Sequence, residues 1–337
     1  MAVRGAPFWL LLVCACVLHT AAAITSASPQ WKTTLSFTAP QPGAQLPIQD
    51  GEGATYGLLF DAGSSGTRLG IFTWPKRVFS TYPVDVTIPL AKVYYSDRFQ
   101  PGIDQPAGRQ YLNVLLNNAR AFLNATSEQM ATYPIFLTAT AGLRILNETA
   151  RNSALAQVRT IFAASGFMFQ PSWARVISGE EEGVYGWLAV NFLAGTLINN
   201  TGSAPQLPST TFGALDLGGA STQITYIPPA PITPIANLYV SQLTTTLVAP
   251  VYTHSFLYYG QNEAAVRAHD MVLQIAAANG ATITAGSVYN HPCYLSGTPL
   301  LHTNFTSQAY GGKQVYFNGT GDFAGCRAVM DALMLKS

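Results

Sequence analysis

Charge is what this chain has least of. Asp, Glu, Lys and Arg together make up 10% of its 337 residues, and the formal net charge is +1. There is no basic field of the kind that grips a phosphodiester backbone, and neither end is an acidic or basic tail, so nucleic acid is not expected as a partner. Long hydrophobic runs are missing beyond the N-terminus; without about 20 consecutive apolar residues, no later segment crosses a bilayer as a helix. Cysteine is sparse, at four residues. Two of them, Cys14 and Cys16, fall in the N-terminal segment, and an even remainder of Cys293 and Cys326 reads more readily as a disulfide than as a metal site. His269, His291 and His302 show no metal-ligand spacing. His254, in "THSF", reads as a satisfied core histidine.

Apolar residues are plentiful, at 48%, and the length predicts two domains. The first 23 residues carry Arg4, an apolar core of about 11 residues from Phe8 to Leu18, and the small exit Ala21, Ala22 and Ala23, which is the pattern of a secretory signal. A membrane partner is expected only if that segment is retained as an anchor. Localisation is therefore the secretory pathway: outside the cell, or in the Golgi or endoplasmic reticulum if the signal stays uncleaved. Five N-x-[ST] sequons follow, at Asn124, Asn147, Asn199, Asn304 and Asn318, and glycans there would help solubilise so uncharged a surface.

Residues 24–53, rich in Pro, Ser, Thr and Gly, read as an extended leader. From Tyr56 onward, strands alternate with helical periodicity, which argues an α/β architecture. "GRQYLNVLLNNARAFLNAT" and "TARNSALAQVRTIFAASGF" have helical spacing, the second with Gly166 as its stop. "PIFLTATAGLR" is a strand running into a small-residue turn. "ARVISGEEEGVYGWLAVNFLAG" reads as a strand, an acidic turn and a helix.

An internal echo then appears. "LLFDAGSSGTRLGIF" (58–72) aligns with "GALDLGGASTQITYI" (213–227), matching Asp61 to Asp216, Gly63 to Gly218 and Thr67 to Thr222. In each copy an apolar strand ends on Asp, passes through small residues and resumes as a strand, which predicts a duplicated unit. Small residues let backbone approach a ligand, and consecutive N–H groups form an anion site. A carboxylate beside phosphate requires a cation between them, and Mg²⁺ or Ca²⁺ takes oxygen ligands and retained waters. Taken singly, either turn reads as an ordinary capped hairpin; the pair points to phosphate.

"DAGSSGTR" (61–68), "TATAGLR" (138–144), "SGEEEGVYGWLAVN" (178–191) and "DLGGASTQITY" (216–226) resemble, in order and spacing, the first four signature regions of the apyrases, or nucleoside triphosphate diphosphohydrolases. "YTHSFLYYG" and "VYFNGTGDFAGC" are also similar to segments of that family. The resemblance covers roughly residues 54 to 330, and four motifs in register are far more specific than one Gly-rich loop.

The resemblance implies an actin-like, ribonuclease-H-like fold with two related domains, 54–177 and 178–337, and a nucleotide cleft between them. It implies metal-dependent hydrolysis of the terminal phosphates of nucleoside tri- or diphosphates by in-line attack of water. Asp61 and Asp216 would hold Ca²⁺ or Mg²⁺, mostly through water. Ser64, Ser65, Gly66, Thr67 and Arg68 would cradle one end of the phosphates, and Gly218, Gly219, Ala220 and Ser221 the other. Thr140 would lie near the terminal phosphate, and Arg144 would order its loop. Glu182 would polarise the attacking water, with Ser221 and Gln223 positioning it. Glu180 and Glu181 read as solvated or helix N-terminal charges, Tyr185 and Trp187 as packing residues, and Tyr258 and Tyr259 equally as packing or base-stacking residues.

Cys293 and Cys326 match positions that pair in relatives. Tyr259 stands where many cell-surface members carry cysteine, and Gly66 where that group has His. Family members continue well past the point matching Ser337, so the second domain is expected to be incomplete. Two other readings stay open at this level: an exopolyphosphatase-type hydrolase of the same superfamily, and a secreted nucleotide-binding protein without turnover.

Overall fold

The computed structural model describes residues 54–75, 91–196, 211–229, 236–242, 248–297 and 301–335. The expected signal, the leader and Asn199 lie outside these residues. Two compact units are present, Met1–Leu257 and Tyr258–Ser337. The duplication boundary expected at 177/178 falls inside the first.

The first unit begins with a hairpin of β1 (Ala54–Gly63) and β2 (Gly66–Pro75), followed by β3 (Ala91–Tyr95). Helix α1 (Pro106–Leu123), β4 (Ile135–Ala139), α2 (Glu148–Ala163) and β5 (Ala174–Val176) follow. The sheet order is β3-β2-β1-β4-β5. β1, β2 and β3 are antiparallel neighbours, whereas β4 and β5 run parallel. This mixed sheet, with helical crossovers where the strands are parallel, is the ribonuclease-H-like α/β arrangement expected from the motifs.

The unbroken apolar run at the end of β1 follows from its central place. Leu58 and Phe60 face one core with Leu112, Leu115 and Phe162, while Leu59 faces another with Phe72, Phe136 and Trp187. A strand covered on both faces cannot alternate with polar residues. Helix α1 starts at Pro106, where a missing N–H costs nothing, and ends on Asn124 in the left-handed region (φ 44°).

Helix α3 (Gly179–Leu193) leads to a second, wholly antiparallel sheet. Its strands are β6 (Ala214–Leu217), β7 (Ser221–Tyr226), β8 (Leu238–Gln242) and β9 (Val248–Leu257), in the order β6-β7-β9-β8. The acidic stretch at 180–182, read from sequence as a turn, is instead the first turn of α3. Ser178 caps that helix: its side chain accepts from the Glu181 N–H, and the Glu181 carboxylate accepts from the Ser178 N–H. A reciprocal cap of this kind satisfies two orphan donors and carries helical geometry through the charged stretch. Trp187, Leu188 and Ala189 share a cluster with Leu59 and Phe136 from the first sheet and Ala249 and Val251 from the second. A helix buried on opposite sides is apolar around most of its circumference.

The second unit holds α4 (Gln261–Ala278), β10 (Val288–His291), β11 (Leu301–Ser307), β12 (Lys313–Gly319) and α5 (Phe323–Leu335). Its sheet order is β10-β12-β11, over a core containing Leu273, Phe305, Val315 and Phe317. Cys293 and Cys326 form a disulfide across 33 residues of sequence, and closing such a loop stabilises by about 2–4 kcal/mol. His269 and His291, without any spacing pattern in sequence, lie edge to face at 5.2 Å. His269 stacks on Phe317 and shares a hydrogen bond with the Tyr294 hydroxyl.

Two predictions follow from this packing. A Cβ on Gly183 would lie 2.2 Å from Thr253 Oγ1 and 2.6 Å from Thr225 Oγ1, a buried hydroxyl pair. Alanine gains about 1 kcal/mol of helix propensity over glycine, but overpacking costs about 1–3 kcal/mol. Gly183→Ala therefore shifts the urea midpoint downward; an unchanged or higher midpoint would mean that the threonines yield freely. The second concerns pH. Burial lowers both imidazoles, His291 to about 4 with His269 adding to the effect, while Asp270 opposes it at His269. The unfolded chain, with its His values near 6.5, takes up protons first as pH falls. The His contribution to stability is thus fully present above about pH 6.5 and is lost as pH falls toward 4. Urea denaturation at about pH 7 and about pH 4.5 should show this loss, and His291→Phe should reduce the difference.

Candidate active site

The echo seen in sequence is a geometric identity. In the β1–β2 hairpin, Asp61 pairs with Arg68, Ala62 with Thr67 and Gly63 with Gly66, around a turn of Ser64 and Ser65. In the β6–β7 hairpin, Asp216 pairs with Gln223 and Leu217 with Thr222, and the Gly218 N–H donates to the Ser221 carbonyl at 2.9 Å, around Gly219 and Ala220. Both hairpins therefore hold the aspartate at the same step before a two-residue turn. Across from Asp61 stands Arg68, at 3.8 Å. Across from Asp216 stands an amide.

The two aspartates are brought together. The charge of Asp216 acts on Asp61, and both act on Glu182, the fourth residue of α3. Burial raises Asp61 to about 6, with Arg68 opposing and Asp216 adding. Burial raises Glu182 to about 7, with Arg144 opposing and both aspartates adding. Burial also raises Asp216.

Glu182 is the most tightly held of the three. Arg144 Nη2 donates to its Oε2 at 2.5 Å and to Ser221 Oγ at 2.9 Å. Gln223 Nε2 lies 3.0 Å from the same Oε2, 2.7 Å from Ser221 Oγ and 3.0 Å from Ser255 Oγ. Both contacts fall on Oε2 and leave Oε1 free of them. Glycine makes the approach possible: a Cβ on Gly179 would lie 2.2 Å from Ser255 Oγ and 3.1 Å from Arg144 Nη1.

The remaining expected residues cluster around this core. The Thr140 N–H donates to the Ala62 carbonyl, and Thr140 precedes the helical turn Ala141–Arg144. That turn sits against the hairpin tip, since a Cβ on Gly142 would come within 2.7 Å of Ser64 Cα. Thr67 is buried, and its backbone exchanges two hydrogen bonds with Phe99. The Gly218 N–H is engaged in closing its own hairpin. Arg144, at the end of the Ala141–Arg144 turn, ion-pairs with Glu182.

Sequence reasoning missed Ser255 and Arg175. Arg175 forms a two-pronged pair with Glu181 at 2.9 Å on each oxygen, so Glu181 is a structural capping charge. Trp187 is core, and Tyr185 reaches Arg175 and Glu181. His254 Nδ1 lies 3.0 Å from the Asn237 amide, Tyr258 is exposed, and Tyr259 underlies the Arg267 guanidinium at 4.3 Å. Asn124, Asn147 and Asn318 are exposed. The Asn147 side chain also caps α2 through its oxygen. Asn304 lies in β11.

Among the described residues, no three His, Cys, Asp or Glu side chains are disposed to ligate one metal ion directly. Desolvated carboxylates raised by one another's charge fit a hydrated divalent cation, which would relieve that repulsion while keeping its own waters.

The chain is 33% identical over 304 residues to a Bos taurus protein named ectonucleoside triphosphate diphosphohydrolase 1, covering 82% of this chain and 55% of that protein. It is 30% identical over 296 residues to "Probable apyrase 5" of Arabidopsis thaliana, covering 83% and 56%. The chain thus spans about half the length of the curated relatives it matches. A crystal structure titled as nucleoside triphosphate hydrolases from Neospora caninum superposes with a TM-score of 0.56 at 17% identity, over 83% of this chain and 66% of that one; the shared fold is the α/β, actin-like class. The model of the GDA1/CD39 (nucleoside phosphatase) family matches residues 48–337, and the chain belongs to that family.

Proposed function

We propose that this chain hydrolyses terminal phosphates of nucleoside tri- and diphosphates with a divalent cation, Ca²⁺ or Mg²⁺. One observation carries the reading: two hairpins of identical register bring Asp61 and Asp216 within electrostatic reach of each other and of Glu182. The two aspartates hold the cation, mainly through its waters, and the cation when bound neutralises phosphate charge. Ser64, Ser65, Gly66, Thr67 and Arg68 take one part of the phosphate chain; Gly219, Ala220 and Ser221 take another, with Gly218 shaping that turn.

Glu182 is fixed at Oε2 by Arg144 and Gln223, so its Oε1 accepts the proton of the attacking water. Gln223 Oε1, buried and without a protein partner among the described residues, is a second acceptor for that water. The water then attacks the terminal phosphorus in line, the bond to the bridging oxygen breaks, and no covalent phosphoenzyme forms. Phosphoryl transfer of this kind depends on positioning and charge neutralisation more than on covalent assistance. We read the hairpins as corresponding parts of a duplicated unit divided near 177/178. The N-terminal signal pattern, exposed sequons and extracellular names of the relatives support action in the secretory pathway or outside the cell.

Purified from a secretory host, the chain should release phosphate from ATP, ADP or UDP with Ca²⁺ or Mg²⁺ and lose this in EDTA. General-base assistance contributes about 10²–10⁴-fold, so Glu182→Gln should lower kcat by at least about 10² while metal-dependent nucleotide binding persists. Turnover that survives EDTA or Glu182→Gln would refute the mechanism. Binding without turnover would favour a non-catalytic role, and hydrolysis of long polyphosphate alone would favour the exopolyphosphatase reading.

A further inference from the structure

Three arginines surround the β1–β2 turn and the carboxylates. Arg68 faces Asp61 and Arg144 is bonded to Glu182. The third, Arg98, comes from the segment after β3, about thirty residues beyond the turn and outside every motif read from sequence. Its place is fixed by backbone. Next to it, Phe99 exchanges two hydrogen bonds of 2.9 Å with Thr67, which ties this segment to the start of β2.

The Arg98 stem then crosses Gly66. A Cβ at position 66 would lie 2.8 Å from Arg98 Cγ, 3.2 Å from its Cδ and 2.5 Å from the Phe99 carbonyl oxygen. Glycine at 66 therefore does more than loosen a turn: it leaves the channel along which Arg98 reaches the hairpin tip. There Nη1 donates to Ser65 Oγ at 3.2 Å. The Gln100 amide, oriented with its oxygen toward the guanidinium, lies 2.9 Å from Nη2 and 3.3 Å from Nε. Both partners are neutral.

Among the described residues, Arg98 forms no ion pair with a carboxylate. It is exposed, so its charge stands at the turn tip uncompensated. A polyphosphate brings several negative charges to a place that already holds three carboxylates. Arg68 and Arg144 each face one of those carboxylates, whereas Arg98 has no such partner among the described residues, so its charge is available to the phosphates beside that of Arg68. Its planar fork suits two phosphoryl oxygens at once.

We propose that Arg98 is a phosphate-recognition residue of this site, contacting the phosphoryl chain beside Ser65. The proposal rests on the hydrolase reading above and adds a residue to its substrate contacts. Arg98 acts on binding of the charged chain and not on the water, so its loss appears in KM and leaves kcat in place. Losing one charge-assisted contact worth about 1.4 kcal/mol corresponds to about tenfold in affinity.

The test compares wild type, Arg98→Gln, Arg98→Lys and Glu182→Gln, each as the full chain. Arg98→Gln should raise KM for ATP and ADP about tenfold with kcat within about twofold of wild type and an unchanged Tm; Arg98→Lys should fall between. Calorimetry with pyrophosphate and Mg²⁺ on Glu182→Gln, with and without Arg98→Gln, reads the same loss without turnover. An unchanged KM and pyrophosphate affinity in Arg98→Gln would overturn the Arg98 proposal and leave the hydrolase reading intact. A fall in Tm with unchanged pyrophosphate affinity would make Arg98 a brace for the hairpin and also overturn it. A wild-type chain that neither turns over nucleotide nor binds pyrophosphate would overturn both.

Discussion

Three carboxylates crowded into one partly buried volume set the constraint that the surrounding structure answers. Asp61, Asp216 and Glu182 are each pushed toward neutrality by desolvation, and Asp61 and Glu182 also feel their neighbours' charge. Left alone, such groups would protonate or move apart. Here they cannot move apart. Asp61 and Asp216 are locked in strands by hairpin register, and Glu182 sits in the capped first turn of α3. That turn presents the positive end of the helix dipole to the carboxylate. Two arginines and one glutamine amide supply the rest of the compensation within the protein, and the remaining negative potential is what makes the place attractive to a cation.

Helix α3 joins that electrostatic arrangement to the core. Its apolar body is clamped between Leu59 and Phe136 on one side and Ala249 and Val251 on the other. Two glycines let its first turns lie almost in contact with β7 and β9, Gly179 against Ser255 and Gly183 against the Thr225–Thr253 pair. Distance to the second hairpin is therefore set by steric contact, which is stiff, and not by side-chain reach, which is soft. The hydrogen bonds from Gln223 and Arg144 to Glu182 Oε2 inherit that stiffness.

Much of this was legible in residues alone, for identifiable reasons. The hairpins are short-range objects: an apolar strand, an acidic end, two small turn residues and a returning strand are contiguous, so their pattern survives in one dimension. The chain order and alternation of elements likewise exposed the α/β class. Glu180 to Glu182 were misread as a turn because three like charges outweighed the Ser178–Glu181 reciprocal cap that converts them into a helical start. Arg144, Ser255 and Arg98 carry no local signal for their partners. Arg144 meets Glu182 only because β5 pairs parallel with β4, which sets the start of α3 beside the turn that follows β4, and Ser255 meets Gln223 only through the register of β9 on β7. His269 and His291 are a parallel case in the second unit, where helix-to-strand packing places two rings that no spacing rule would join.

The scarcity of charge gives these contacts their meaning. In a chain with 17 basic residues, four arginines serve as ties between elements. Arg109 reaches the Ile103 and Asp104 carbonyls and the Gln157 side chain. Arg120 reaches the Ser165 carbonyl, and Arg159 those of Pro171 and Ala174. Arg175 braces the cap of α3. Each stitches a helix or its cap to another segment through oxygens that would otherwise lack a partner at an element's end. Arg98 departs from that use. Its stem is threaded over a glycine to an exposed turn, its partners are neutral side chains, and it joins no two elements that Phe99 and Thr67 have not already joined through their backbones. Neutral partners, an exposed turn and a stem passing a glycine are the features on which its proposed role toward an incoming anion rests.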